Sequence, residues 1–212
     1  MPRVEPFEHH PDRYDEWFAR HEPVYRSELR ALERFVDPAA YGIAIGVGSG
    51  RFAAPLNVEV GVDPSPEMLS RATDRGVRCI RGVAERLPVS GNRFEVALSV
   101  TAVCFVDDIA ATLREAMRVL RPGGSVVLGY IDRESDLGKR YEEHKEENPF
   151  YRDATFVSTA ELTAVLEDLG YRDIEMVQTV FQPPDAVADL EPVRSGSGEG
   201  SFVALKAEKP DD

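Results

Sequence analysis

Three glycines at alternate positions, Gly46-Val47-Gly48-Ser49-Gly50, and an acid 17 residues after the first, Asp63, are the part of this chain best suited to chemistry. Between a strand and a helix the backbone must turn tightly and pass close to a ligand, and glycine has no Cβ to obstruct either. A carboxylate at the end of the next strand can accept hydrogen bonds from both hydroxyls of a ribose. Dinucleotide enzymes use G-x-G-x-x-G, in which a pyrophosphate rests on the helix N-terminus. Here the sixth position is Arg51, so that fingerprint is broken. The G-x-G-x-G spacing fits a ligand without phosphate.

Other reactive side chains carry weaker signals. Cys79 and Cys104 lie in apolar runs; two cysteines make no disulfide framework and lack metal-ligand spacing. Cys104 reads as a small core residue rather than a reactive thiol, since nothing nearby would depress its pKa. His9 and His10 read as a solvated start of the chain rather than metal ligands, and no metal is expected. Tyr141 and His144 fall in the charged stretch 139–147, a solvated helix face by composition; His144 as a general base is the competing reading. Tyr130 and Asp132 end a strand at the sheet edge where open α/β folds bind ligands. Asp132 reads first as a loop-starting acid and second as a group that orients an acceptor. For Trp17 and Tyr25, an aromatic lid and ordinary helix packing explain the spacing equally.

The surrounding elements follow from periodicity and punctuation. Residues 12–36 read as helical, split at Pro23. Strands are expected at 43–45, 58–62, 77–81, 94–100, 125–131, 173–181 and 201–207. Ser65-Pro66-Glu67 opens a helix that stops at Gly76, Asp107 or Asp108 caps the helix carrying Ile109, Leu113, Met117 and Leu120, and Ser158 with Glu161 forms a capping-box pattern. Glu199-Gly200-Ser201 reads as the turn into the last strand. Alternating strands and helices predict a doubly wound α/β fold with a mostly parallel, seven-stranded sheet, an antiparallel C-terminal hairpin at one edge and an N-terminal helical cap. A single domain over 1–212 is expected, divided into a cap (1–40), a cofactor-binding half (41–132) and an acceptor-side half (133–212).

Four segments together resemble class I S-adenosylmethionine-dependent methyltransferases, in the quinone-biosynthesis-like, type 11 branch. Ile45-Gly46-Val47-Gly48-Ser49-Gly50-Arg51-Phe52 is similar to the family's first motif, and the segment Gly61 to Leu69 to its second-strand motif. Gly82-Val83-Ala84-Glu85-Arg86-Leu87-Pro88 resembles the G-D-A-E-x-L-P segment that meets adenine, and the segment Leu113 to Gly124 the helix and turn after the fourth strand. The resemblance implies a Rossmann-like fold and S-adenosyl-L-methionine as cofactor. By position, Gly46, Gly48 and Gly50 would line its methionine and ribose part, and Asp63 would bind the ribose hydroxyls. Pro64 and Met68 would pack on adenine, Ala84 and Glu85 would meet the adenine edge, Ser99 would lie near the sulfonium, and Tyr14 would close over the methionine end. Two positions depart from the pattern. Ala44 stands where the family has an acid that holds the cofactor's amino end, and Val83 replaces the Asp of G-D-A-E.

Methyl transfer is an in-line displacement that positioning accelerates, so no universal catalytic residue is implied. Acceptor-site residues are expected in the leader, the loop after the fourth strand, including Cys104 and Phe105, and residues 130–157. The alternatives are a catalytically silent cofactor-binding or partner-binding module, which Ala44 and Val83 favour, and a nicotinamide-dependent oxidoreductase, which Arg51 disfavours.

Composition bounds the remainder. The chain has 212 residues, 42% of them hydrophobic, which is enough for a full core. With 38 acidic and 25 basic side chains, the net charge of −13 repels phosphate backbones and anionic membranes. No nucleic-acid or membrane partner is therefore expected, and a small-molecule acceptor is preferred to a protein because no extra recognition domain is expected. The absence of a long apolar run and of an apolar leader makes the cytoplasm the expected compartment. Only 4 of the basic residues are Lys, and an acid-rich, lysine-poor surface suits high internal salt.

Overall fold

Eight strands form one sheet in the order β3-β2-β1-β4-β5-β8-β6-β7 in the computed structural model, which describes residues 5–211. Residues 1–4 of the polar leader lie outside the described residues. Strands β1 (Gly42–Ile45), β2 (Val60–Asp63), β3 (Arg78–Arg81), β4 (Phe94–Val100) and β5 (Leu120–Ile131) pair in parallel. β1 and β2 are buried at every position, as expected for central strands covered by helices on both faces. β6 (Arg172–Thr179) and β8 (Phe202–Glu208) form the expected antiparallel pair, and β8 also pairs antiparallel with β5.

The sheet has one strand more than the sequence predicts. β7 (Arg194–Ser195) is only two residues long and pairs with β6 at the edge. The last strand is accordingly internal, between β5 and β6. Burial explains the placement: Phe202, Val203, Ala204 and Leu205 are fully buried, so β8 needs neighbours on both sides, whereas both residues of β7 are exposed.

Helices α4 (Pro66–Asp74), α5 (Ile109–Val119) and α7 (Thr159–Asp168) start where their caps direct. The Ser65 and Asp108 side chains accept from the amides of Met68 and Ala111, which selects Asp108 over Asp107 as the cap. Ser158 and Glu161 form the reciprocal capping box. α5 passes into β5 without a separate turn. Leu120 pairs with Phe94, the register then shifts, and Ser125 pairs with Val96 across the bulge that Arg121–Gly124 create.

Among the described residues the cap holds three helices, one more than expected. α1 (Glu5–His9) occupies the stretch read as a solvated start, although its residue His9 and the following His10 are both exposed. α2 (Pro11–Arg20) and α3 (Glu22–Leu32) divide ahead of Pro23, which sits in the first turn of α3 where its missing N–H costs nothing. No described helix is long and apolar enough to cross a membrane.

Candidate cofactor and acceptor site

Parallel strands end at a common edge, and here the ends of β1, β2, β4 and β5 surround a cavity of about 620 Å³. That is within the range of small-molecule sites, roughly 300–1,000 Å³. The glycine turn leaves β1 with Gly46 at φ +69° and Gly48 at φ +52°. A Cβ on Gly46 would stand 2.5 Å from the Cβ of Ala102, so a bare backbone is required there. Gly48 faces the Tyr14 hydroxyl, which would be 3.5 Å from a Cβ at that position.

Asp63 is 9% exposed at the end of β2. Its Oδ2 accepts the Gly48 amide at 2.9 Å, and its Oδ1 accepts the Ser65 amide, also at 2.9 Å. Burial raises its pKa, and the two amides act against that rise. Each oxygen keeps lone-pair capacity toward the cavity. The charge of Glu8 on α1 also raises Asp63, and among the described residues Oε1 of Glu8 is buried with no hydrogen-bond partner. A carboxylate with two oxygens and unused acceptor capacity lining the cavity fits a ligand that presents two adjacent hydroxyls, as a ribose does.

Of the ten cofactor positions inferred from the sequence, nine line the cavity: Tyr14, Gly46, Gly48, Asp63, Pro64, Met68, Ala84, Glu85 and Ser99. Gly50 does not. Its φ is +81°, and a Cβ would lie 2.9 Å from the Ala72 backbone, so it lets α4 pack against the turn. Glu85 Oε1 accepts the Asp107 amide at 2.8 Å, joining the segment expected at adenine to the loop after β4. Of the two departures, Val83 lines the cavity, while Ala44 is buried in the apolar layer of Leu98, Val100 and Val127.

Asp15, beside Tyr14, is a key residue the sequence reading passed over. Its Oδ1 accepts Ser49 Oγ and Arg51 Nε at 2.8 Å each, and its Oδ2 accepts Arg75 at 2.8 Å and Arg71 at 3.3 Å. Burial works to raise its pKa, but the hydrogen bonds from Arg51, Arg75 and Ser49 hold it below the ordinary value. Asp15 thus clamps the cap to the glycine turn and to α4. Arg51 has this structural task, and its guanidinium also lies over the Phe18 ring at 5.5 Å. Acids scattered through a helix give no sign in the sequence of converging on three arginines.

The far end of the cavity is aromatic. Trp17 lines it and packs on His21 with ring centroids 4.7 Å apart. Tyr25 instead joins Phe18 and Phe52 in the core and donates to the Arg51 carbonyl, so the two aromatics read alike in sequence have different roles. α6 (Asp136–Glu143) is not wholly a solvated face: Tyr141 lines the cavity, with burial pushing its hydroxyl pKa up to about 12. His144 is exposed, and its Nδ1 bonds the Arg140 carbonyl at 3.0 Å, away from the cavity. Asp132 accepts Thr159 Oγ1 at 2.6 Å and the Glu134 amide at 2.9 Å; it holds the loop after β5 rather than lining the cavity. Tyr130 does line it, and its hydroxyl donates to Thr159 at 2.9 Å. Cys104 and Phe105 both line the cavity, Cys104 as a buried member of a small cluster with Ala154 and Phe156. Thr101 has φ +50° at the end of β4, a strained conformation for a β-branched residue, and it directs the 102–106 loop over the site. Among the described residues, no group of three or more His, Cys, Asp or Glu could hold a metal ion.

Comparison with known proteins agrees with this geometry. Residues 43–128 match the model of a methyltransferase domain. A Thermotoga maritima structure described as an S-adenosylmethionine-dependent methyltransferase, possible histamine N-methyltransferase, superposes with a TM-score of 0.95 at 42% identity, covering 98% of this chain and 99% of that one. An uncharacterized protein of Methanocaldococcus jannaschii is 43% identical over 96% of this chain and 98% of its own length. The ubiquinone biosynthesis O-methyltransferase of Azorhizobium caulinodans is 31% identical over 66% of this chain and 61% of its own. The chain belongs to the S-adenosylmethionine-dependent methyltransferases.

Proposed function

We propose that this protein transfers the methyl group of S-adenosyl-L-methionine to a small molecule held in the same cavity. The observation that carries this reading is the continuity of one cavity from Asp63 and the glycine turn to the aromatic pocket under the cap. Asp63 would take the ribose hydroxyls, Pro64 and Met68 would pack on adenine, and Ala84 and Glu85 would meet its edge. Gly46, Gly48, Ser99 and Tyr14 would surround the methionine end, while Gly50 supports the turn from behind.

The cofactor supplies a methyl group activated by positive sulfur. The protein's part is to align a nucleophile with it and exclude water, which can supply roughly 7–11 kcal/mol of the barrier. Residues of α2, α3 and α6 roof the acceptor end. A roofed cavity suits a small acceptor better than a protein surface or a nucleic acid, and the net charge of −13 further disfavours nucleic acid.

Calorimetric titration with S-adenosylmethionine and S-adenosylhomocysteine, at low and high salt, tests the reading. Micromolar binding of both is expected. No heat in either salt regime would leave a silent module, with Ala44 as the first substitution to reverse.

A further inference from the structure

Glu28 is the feature that cofactor binding leaves unused. It lies on the inner face of α3, is 4% exposed and lines the cavity. Among the described residues it makes no hydrogen bond or ion pair, although Arg13, Arg20, Arg140 and His21 line the same cavity. His21 is already held by the Trp17 carbonyl at 3.0 Å and Asp185 at 3.1 Å. A buried carboxylate without a partner is costly, and its presence in a cavity indicates a partner that arrives with the ligand.

Glu28 and Asp63 line one cavity from different elements, α3 and the end of β2. Tyr14 is raised by burial and by the charges of Asp15, Asp63 and Glu28, so it lies within reach of both ends of the cavity. The hydroxyls of Tyr141 and Tyr151 also feel Glu28. Tyr141 and Tyr151 pack with centroids 4.7 Å apart, and Tyr151 meets Phe156 at 5.5 Å. Aromatic faces beside one carboxylate favour a cation with an apolar body.

We propose that Glu28 anchors and deprotonates the basic nitrogen of the methyl acceptor, which makes that acceptor a small alkyl- or arylalkylamine lying against the tyrosine wall. This rests on the methyl-transfer reading above. An ammonium cannot attack, because its lone pair is bound to a proton. Glu28 takes that proton and becomes a neutral carboxyl, and the free amine forms the N–C bond as the C–S bond breaks and its electron pair stays on sulfur. The products are a methylated ammonium and S-adenosylhomocysteine, and the carboxyl proton leaves to solvent as the products depart. Burial pushes Glu28 up to about 8, so near neutrality the unliganded carboxyl holds a proton. The arriving ammonium displaces that proton to solvent and pairs with the carboxylate, which then takes the ammonium proton as described.

The test uses the full chain, first titrated with S-adenosylhomocysteine and then, saturated with it, titrated with histamine, phenethylamine and the uncharged analogue 2-phenylethanol. At least one amine should bind the wild type, and Glu28→Gln should weaken it about 10- to 100-fold while S-adenosylhomocysteine affinity stays within about twofold. Phenethylamine should bind better than 2-phenylethanol. Equal amine binding by wild type and variant, equal binding of phenethylamine and 2-phenylethanol, or no amine binding by the wild type overturns the proposal. A tenfold loss of S-adenosylhomocysteine affinity in Glu28→Gln also overturns it, since Glu28 would then replace the acid missing at Ala44 and hold the cofactor. Failure of the wild type to bind S-adenosylhomocysteine in the first titration counts against the methyl-transfer reading instead. If Glu28→Gln does not fold, Glu28→Asp keeps the charge, shortens its reach and should show the same selective loss.

Discussion

The Gly48 amide donates to Asp63 Oδ2 at 2.9 Å, so the glycine turn and the acid that follows it form one unit before any ligand binds. Asp63 also holds the first amide of the turn into α4. Asp63→Ala should therefore cost stability as well as cofactor affinity, with about 1–3 kcal/mol for each buried donor left unpaired. Asp63→Asn keeps an acceptor and much of the turn. Its single oxygen serves only one of the two amides, so the variant should lose about half the stability lost by Asp63→Ala. It should still bind S-adenosylhomocysteine at least about tenfold more weakly, since hydrogen bonds to a charged acceptor are worth about 1.5–3 kcal/mol. Calorimetry beside thermal melting separates the two effects, and unchanged affinity in Asp63→Asn would refute the ribose role.

Asp15 serves four donors with two oxygens, and its removal leaves three arginines facing one another. Asp15→Ala should destabilise the protein by about 1–3 kcal/mol, since it leaves the donors of a half-buried charge cluster without their acceptor. Because the clamp fixes the glycine turn, cofactor affinity should fall too. The pKa of Asp15 is held below its ordinary value of 3.8, so the clamp is complete above that pH and is lost as pH falls through the lower folded value. Wild type should thus lose more stability than Asp15→Ala between pH 5 and the acid transition, read by melting temperature at each pH.

Glu28 has the opposite sign. Its folded pKa, pushed up to about 8, lies above the ordinary 4.5, so its contribution is complete below pH 4.5 and is lost as pH rises through 8. The tyrosines that feel it, Tyr14, Tyr25, Tyr141 and Tyr151, are themselves raised by burial and titrate above this window. Between pH 6 and pH 9, unliganded wild type should lose on the order of 2 kcal/mol more than Glu28→Gln, or roughly 4–8 °C in melting temperature. Parallel melting curves for the two proteins across that window would refute the assignment.

Gly46 and Gly170 have similar backbones and different surroundings. At Gly170, φ is +88° and among the described residues nothing lies within 4 Å of an added Cβ, so Gly170→Ala should cost only the strain of the left-handed region, of order 1 kcal/mol. Gly46→Ala adds the 2.5 Å clash with Ala102 and should lose cofactor binding as well as stability. Ala102→Gly in the same chain should recover part of that loss and leave the strain. No recovery in the double variant would show that the contact with Ala102 is not what limits the turn.

The sequence alone determined what repeats locally. Caps at Ser65 and Ser158, the punctuation at Pro23 and Gly76, and the apolar runs of the central strands are written within a few residues of where they act, so periodicity and side-chain chemistry locate them. The motif at Gly46–Gly50 with Asp63 was legible for the same reason: one strand, turn and strand fix its geometry. Tertiary structure alone decided which side chains meet across long separations. Asp15 closes on Arg51, Arg71 and Arg75 through the packing of α2 against the turn and α4, and no local pattern marks that convergence. Tyr141 turns inward while His144, on the same charged stretch, stays in solvent, because the cavity wall selects one face of α6. Glu28 sits on an amphipathic helix among polar neighbours, where an acid is ordinary; only the closing of α3 over the sheet buries it without a partner among the described residues. Burial and opposing charge set the chemistry of such a group, and both come from residues brought near by folding rather than from its neighbours along the chain.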